Sequence, residues 1–268
     1  NLAAIGGKSL FVKELEWALL AGQGDFAVHS LKDMSACLSP EFQIAAFCSR
    51  ENPQDVLVST RYHSLNELPP NLRIGSSSIR RRMQCQALFP DMTCLPLRGN
   101  VDTRLKKLED GHYDAIVLAH AGLIRLGLTG AILHEFSPEE MLPPIGQGIL
   151  ALECLASNAE LADRLSILND TVTAACARAE RAMNAQLGGG CHVPIAAYAQ
   201  PHAAGLLLRA QLWSNQGNAI IASAQGPLAE AERLGAQVAQ DLFAQGAELI
   251  MAQWSSDVNG PSGSTDAN

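Results

Sequence analysis

The chain contains no run approaching the ~20 uninterrupted apolar residues that a membrane-spanning helix requires, which excludes that class of span. It has no C-x-x-C pair, and its seven cysteines (37, 48, 85, 94, 154, 176 and 191) are odd in number, which argues against both a disulfide framework and a zinc site. A reducing cytoplasm is the expected setting. Positive charge is scarce: 19 Lys and Arg stand against 27 Asp and Glu, a formal net charge of -8 with no general pull toward nucleic acid or an anionic membrane. Aromatic residues are only 5% of the chain, and few lie among the basic ones, unlike a single-strand nucleic-acid binder. The start lacks an initiator Met and a signal peptide, and residues 1–7 run straight into a helix-forming segment, so a chain truncated at its start is expected.

With 268 residues, of which 47% are hydrophobic, the chain exceeds what one core usually serves, and two or three packed domains are expected. Residues 10–20, with apolar side chains at 10, 11, 15, 18 and 19, predict an amphipathic helix stopped by Gly22 and Gly24, followed by a strand at 26–28. Residues 101–108 repeat the helical pattern, stop at Gly111 and lead into a strand at 115–118. The shared order of helix, glycine, aspartate (Asp25, Asp114) and strand suggests two α/β domains of related build.

Asn52-Pro53 and the segment from Pro143 to Gly148 are both rich in breakers, and read as two crossings of one hinge. Domain 1 would then comprise 1–50 and 149–166, and domain 2 residues 54–142, with a cleft between the lobes. After Asp170 the pattern changes to a helix at 171–187, a glycine run before Cys191, strands at 206–213 and 219–224 joined by the hairpin turn 215–218, and a helix at 228–245. This makes a small α+β third domain over 171–254. The tail 255–268, rich in Ser, Gly, Asp and Asn, is expected to be disordered.

In open α/β sheets ligands gather at the carboxyl ends of strands. Three such places are polar. One carries His29, Ser30, Lys32 and Asp33; one carries Ser76, Ser77 and Ser78 at the start of a helix bearing Arg80, Arg81 and Arg82; one carries Arg98 and Asn100, ahead of a helix bearing Arg104, Lys106 and Lys107. A serine-led helix start offers unpaired N–H groups and a positive dipole end, and arginines add bidentate anion recognition. From Arg73 to Arg125, nine Lys or Arg stand against five Asp or Glu, inside an acidic chain. This lobe suits a polyanion, although Arg81, Arg82, Lys106 and Lys107 read equally well as solvated helix faces.

A carboxylate at Asp33 suits protonation of a leaving group or stabilisation of a cation in the cleft. Spacing alone favours a cap or an ion pair with Lys32. Three glycines precede Cys191 and free the backbone to present its thiol, while a buried inert cysteine is the plainer reading. Adjacent Cys191 and His192 side chains rarely converge, so a cysteine hydrolase is rejected. Lys8 and Lys13 reach either the cleft or solvent.

Along nearly the whole chain, the segments Gly6–Glu14 (GGKSLFVKE), Val28–Asp33 (VHSLKD), Gly75–Arg81 (GSSSIRR), Leu97–Val101 (LRGNV), Gly146–Gly148 (GQG) and Gly189–Pro194 (GGCHVP) resemble the signature segments of the porphobilinogen deaminase family, in the family's order. The resemblance implies two hinged α/β domains like those of periplasmic binding proteins plus a small α+β C-terminal domain. It implies a cytoplasmic, monomeric transferase of haem and tetrapyrrole biosynthesis, joining four porphobilinogen molecules into hydroxymethylbilane with release of ammonia.

By the same resemblance, Cys191 would anchor a dipyrromethane cofactor covalently. Asp33 would be the catalytic carboxylate, assisting loss of the amino group. Ser30, Lys32, Ser76, Ser77, Ser78, Arg80, Arg81, Arg98, Arg104 and Gln147 would bind cofactor and substrate, with Arg125 joining them and Lys8 and Phe11 on a loop over the site. No metal, nucleic-acid or membrane partner is implied. About fifty residues, with the first strand and helix, would precede Asn1, and Ser76 stands where the family commonly has threonine. A non-catalytic two-lobed binding protein for a small polyanion is the alternative; the loop at Cys191 and the third domain speak against it.

Overall fold

The structure, a computed structural model, describes residues 7–188, 193–203 and 205–259. In chain order the elements are α1 (Gly7–Leu20), β1 (Phe26–Ser30), β2 (Phe42–Phe47), β3 (Asp55–Val58), β4 (Arg73–Gly75), α2 (Ile79–Leu88), β5 (Thr93–Leu95), α3 (Val101–Glu109), β6 (Ala115–Ala119), α4 (His120–Leu126), β7 (Ile132–Glu135), β8 (Leu150–Leu155), α5 (Ala159–Leu165), α6 (Thr171–Gln186), β9 (Ile195–His202), β10 (Gly205–Trp213), β11 (Ala219–Gly226), α7 (Ala231–Ala244) and α8 (Ala247–Asn259). No helix among the described residues is long and apolar enough to cross a membrane.

The strands form three sheets. β1, β8 and β2 make an antiparallel sheet in the order β1-β8-β2. The second sheet, β5-β4-β6-β3-β7, is mixed: β4 runs parallel to β5 and β6, while β3 is antiparallel to β6 and β7. Its central strands are buried on both faces, so Val56, Leu57, Val58 and Ile116 form an almost continuous apolar signal. Apolar clusters lie on both sides, one around Leu57, Ile74 and Phe136 and one around Val58, Ile116 and Leu123. Because β8 returns to the first sheet after the whole of the second, the chain crosses between the two lobes twice.

The third sheet is an antiparallel meander, β11-β10-β9. Along β10, Leu206, Leu208, Ala210 and Leu212 are fully buried while Leu207, Arg209 and Gln211 are half-buried, the period of two expected of a sheet covered on one face. Helices α6 and α7 cover it and approach closely, because a side chain at Gly235 would overlap the Ala179 carbonyl oxygen. The expected α/β architecture with a small α+β C-terminal unit is therefore what the chain adopts.

Three expectations are corrected. Residues 255–259 are not a disordered tail but the end of α8, which is pinned where Trp254 Nε1 donates to the Trp213 carbonyl at 2.8 Å; residues 260–268 lie outside the described residues. Lys8 and Phe11 belong to α1 rather than a loop, because no breaker interrupts the run of helix formers from Ser9 to Leu20. That helix buries Val12 and Leu19, while Phe11 and Leu15 are exposed, so its buried stripe is offset from the one read in the sequence. It packs against β1, β8 and the turn after β1 by one narrow face, and that contact, not the count of apolar residues, selects the stripe.

Candidate active site

The 3-10 turn Leu31–Asp33 follows β1 directly, so Ser30, Lys32 and Asp33 emerge at a strand end. Behind them, within the sheet, His29 Nε2 lies 2.9 Å from Glu153 Oε2, both side chains buried. The turn rests on the second crossing. At Gly146 (φ 72) a Cβ would meet Leu31 Cγ at 2.8 Å and Lys32 N at 3.0 Å, and at Gly148 (φ 89) it would overlap the Glu51 carbonyl oxygen. Only glycine permits that approach together with a positive φ. The two crossings accordingly lie side by side: Glu51 N donates to Gly148 O at 3.0 Å, Arg50 Nε to Gln147 O at 2.8 Å and Gln147 Nε2 to Pro53 O at 2.6 Å.

The serine-led segment caps α2 as expected, with Ser78 Oγ accepting from Arg81 N at 3.4 Å and Ser76 Oγ from Ser78 N at 3.3 Å. Ser77 instead joins two loops, donating through Oγ to Leu97 O at 2.9 Å and accepting from Leu97 N at 3.0 Å. Asn100 caps α3, and Arg104 on that helix donates from Nε to Gly99 O at 2.7 Å. Arg98 and Arg125 are exposed, and Arg125 donates to Gly148 O at 2.8 Å, tying α4 to the second crossing.

Arg80 and Arg81 are buried rather than displayed as a solvated face, and both engage Asp55, a residue that sequence reasoning did not single out. Asp55 has no solvent exposure; its Oδ2 takes Arg80 Nη2, and its Oδ1 takes Arg81 Nη2 at 2.7 Å, Arg81 Nε at 3.2 Å and Gln147 Nε2 at 3.0 Å. Burial by itself raises the Asp55 carboxyl, but the two guanidinium groups outweigh it and hold the carboxyl well below the usual range. Gln147 accepts from Lys32 Nζ at 3.3 Å, so a hydrogen-bonded chain runs from Lys32 through Gln147 to Asp55 and the arginine pair.

The Arg104 guanidinium is depressed first by burial and then by the charge of Arg81 on α2, and is partly restored by the charge of Asp33 on the 3-10 turn. Among the sequence-predicted residues, Lys32, Gln147, Arg80 and Arg81 are thus joined through Asp55 across the crossings, with Asp33 next to Lys32 on the 3-10 turn. Cys191 lies outside the described residues, and of Lys8 only its place in α1 is described. Asp55 follows the first crossing in a run, Asp-Val-Leu-Val, whose lone acid at a strand start was the available signal.

Two family models match the chain: "Porphobilinogen deaminase, dipyromethane cofactor binding domain" over residues 1–163, and the C-terminal domain of the same family over residues 174–244. The chain belongs to the porphobilinogen deaminase family. Among curated relatives, the porphobilinogen deaminase of Chromobacterium violaceum is 49% identical over 94% of this chain and 82% of its own length. That of Thiobacillus denitrificans is 48% identical over 94% and 82%, and that of Stenotrophomonas maltophilia 50% over 94% and 83%. A solved nutrient-binding protein from Burkholderia cenocepacia aligns over 55% of this chain and 72% of its own at 14% identity and a TM-score of 0.38, a likeness too slight to bear on function. The third unit, matched by the porphobilinogen deaminase C-terminal model, disfavours a simple two-lobed binding protein.

Proposed function

We infer that this chain is a transferase that polymerises porphobilinogen into hydroxymethylbilane in tetrapyrrole biosynthesis, releasing ammonia at each condensation. The observation that carries this reading is the hydrogen-bonded chain that runs from Lys32, beside Asp33 on the turn after β1, through Gln147 and Asp55 to the buried guanidinium groups of Arg80 and Arg81 in the other lobe. Each pyrrole bears an acetate and a propionate, and bidentate guanidinium groups are the side chains suited to hold them.

The residues fit a dipyrromethane cofactor, because that group is a dicarboxylate repeated twice and the donors here are arginines, a lysine and helix-start serines. When bound, it supplies the pyrrole end to which the first substrate is joined. Lys32, Ser76, Ser77, Ser78, Arg80, Arg81, Arg98, Arg104 and Gln147 are proposed to hold it and the growing chain, with Ser30 and Arg125 beside them and covalent attachment at Cys191. Asp33 serves as the catalytic carboxylate, giving a proton toward the departing amine and then balancing the positive charge left on the substrate. The same reading divides the chain into domain 1 (1–50 and 149–166), domain 2 (54–142) and domain 3 from residue 171, and takes the protein as a cytoplasmic monomer.

Intact mass of the full-length protein, with peptide mapping around Cys191, tests the cofactor assignment directly. A two-pyrrole adduct on that cysteine together with turnover of porphobilinogen is the expected result. An unmodified cysteine in a protein that consumes no porphobilinogen would overturn the reading.

A further inference from the structure

We propose that Asp55 is a positioning residue that sets the charge of the anion site, cancelling one of the two positive charges of Arg80 and Arg81 so that the pair meets substrate as a single net cation. The proposal rests on the deaminase reading above and deepens it.

Asp55 is the first residue of β3, immediately after the first crossing, and is wholly buried. Its bonds to Arg80 and Arg81 occupy only part of each guanidinium, and the remaining Nη1 groups donate to Leu142 O at 2.8 Å and Val117 O at 3.0 Å. Both side chains are therefore fixed in direction by one carboxylate and one carbonyl each. Gln147, also fully buried, extends the arrangement to Lys32 beside Asp33. Every side chain that Asp55 bonds is thus one the anion site uses.

A buried ion cluster kept only for stability has no need to end on the basic residues of a binding site. Its charge balance has a functional consequence here. An enzyme that takes up one dianionic ring after another gains nothing from attraction shared equally by substrate, bound chain and product, because uniform binding slows release without lowering the chemical barrier. A buried carboxylate that removes one positive charge limits that attraction while fixing both guanidinium groups, and because Asp55 itself takes the Nε and Nη2 edge of Arg81, the pair acts on substrate through its net charge. Its negative charge persists throughout the working pH range, since the two arginines keep the carboxyl ionised.

The test is the ionic-strength dependence of the porphobilinogen KM in the full-length enzyme. Wild type, Asp55→Asn, Arg80→Gln and the double variant Asp55→Asn/Arg80→Gln are compared between about 0.01 M and about 0.1 M salt, over which the screening length falls from roughly 30 Å to roughly 10 Å. Asp55→Asn, one charge more positive, should show a KM that rises about twofold more steeply than wild type over that range. The double variant, whose net charge is restored, should return to the wild-type salt slope although loss of the Arg80 ligand raises its KM at every salt concentration, and Arg80→Gln should be shallower. Equal slopes in all four active proteins would overturn the charge role while leaving the assigned reaction intact. A wild type that does not turn over porphobilinogen would overturn the function and this proposal together. If Asp55→Asn does not accumulate as folded protein, Arg80→Gln and the double variant still differ by the same single charge and decide the question.

Discussion

Arg50 and Glu180 form a buried ion pair, with 2.6 Å between Arg50 Nη1 and Glu180 Oε1 and side chains 10% and 0% exposed. Glu180, on α6, also accepts from Gly146 N at 2.6 Å in the second crossing and from Ala199 N at 2.8 Å in β9. Arg50 lies in the first crossing with its guanidinium 4.8 Å from the centre of the Tyr198 ring. Both lobe crossings and the third sheet therefore meet on one carboxylate. Replacing Glu180 by Ala leaves a buried guanidinium and two backbone N–H groups without their acceptor, and is expected to cost about 3–5 kcal/mol. Denaturant unfolding of the full-length protein measures this; a loss below about 1 kcal/mol would show the junction to be held by other contacts.

Gly148→Ala should be far more damaging than a glycine replacement elsewhere. Its φ of 89 and the Glu51 carbonyl in the path of a Cβ together oppose any side chain, whereas Gly22, at φ 67, has nothing within 4 Å. Gly22→Ala should cost about 1–2 kcal/mol from backbone strain alone. Gly148→Ala should add separation of the crossings, seen as a larger fall in melting temperature and a loss of activity in whatever protein remains folded. Equal melting temperatures for the two variants would contradict the close approach described here.

Asp33→Asn keeps the shape of the turn and removes its charge. Cofactor loading, read by mass, should persist, while kcat falls by about 10²–10⁴-fold, the range for loss of a positioned acid or base. Near-normal release of hydroxymethylbilane would remove Asp33 from the mechanism.

The cysteines provide a check on burial. Desolvation, with the nearby Cys94 adding to it, pushes the Cys85 thiol up to about 12, and desolvation followed by the charge of Glu180 pushes Cys176 to about 11. Neither forms appreciable thiolate near neutrality, whereas Cys37 is exposed. Brief alkylation at about pH 8 should mark the exposed Cys37 and spare the desolvated Cys85 and Cys176. Early labelling of Cys85 would mean that the core around Leu57, Ile74 and Phe136 opens readily.

Much of the local structure was legible because its causes are local. Gly22 and Gly111 stop their helices through left-handed conformations, Ser78 and Asn100 cap theirs, and the turn at 215–218 reverses the chain with Gly217 at φ 87. The strand-end positions of Asp33, the serines and Arg98 were readable for the same reason. The third unit was less so: β9 was not anticipated, since Ala-rich alternation around Tyr198 carries little apolar signal, and α8 was read partly as tail because its anchor, Trp213 O, is distant in sequence.

By itself, then, the sequence determined which residue types stand at strand ends, where helices start and stop, that one lobe is basic inside an acidic chain, and that its motifs follow the porphobilinogen deaminase order. Only the tertiary structure decided that Arg80 and Arg81 are buried on Asp55, that Gln147 joins them to Lys32, and that Glu180 gathers both crossings and the third sheet. The physical reason is range: caps, turns and periodicity act between neighbours in the chain, whereas the charge state and direction of a buried side chain depend on partners 25 to 130 residues away.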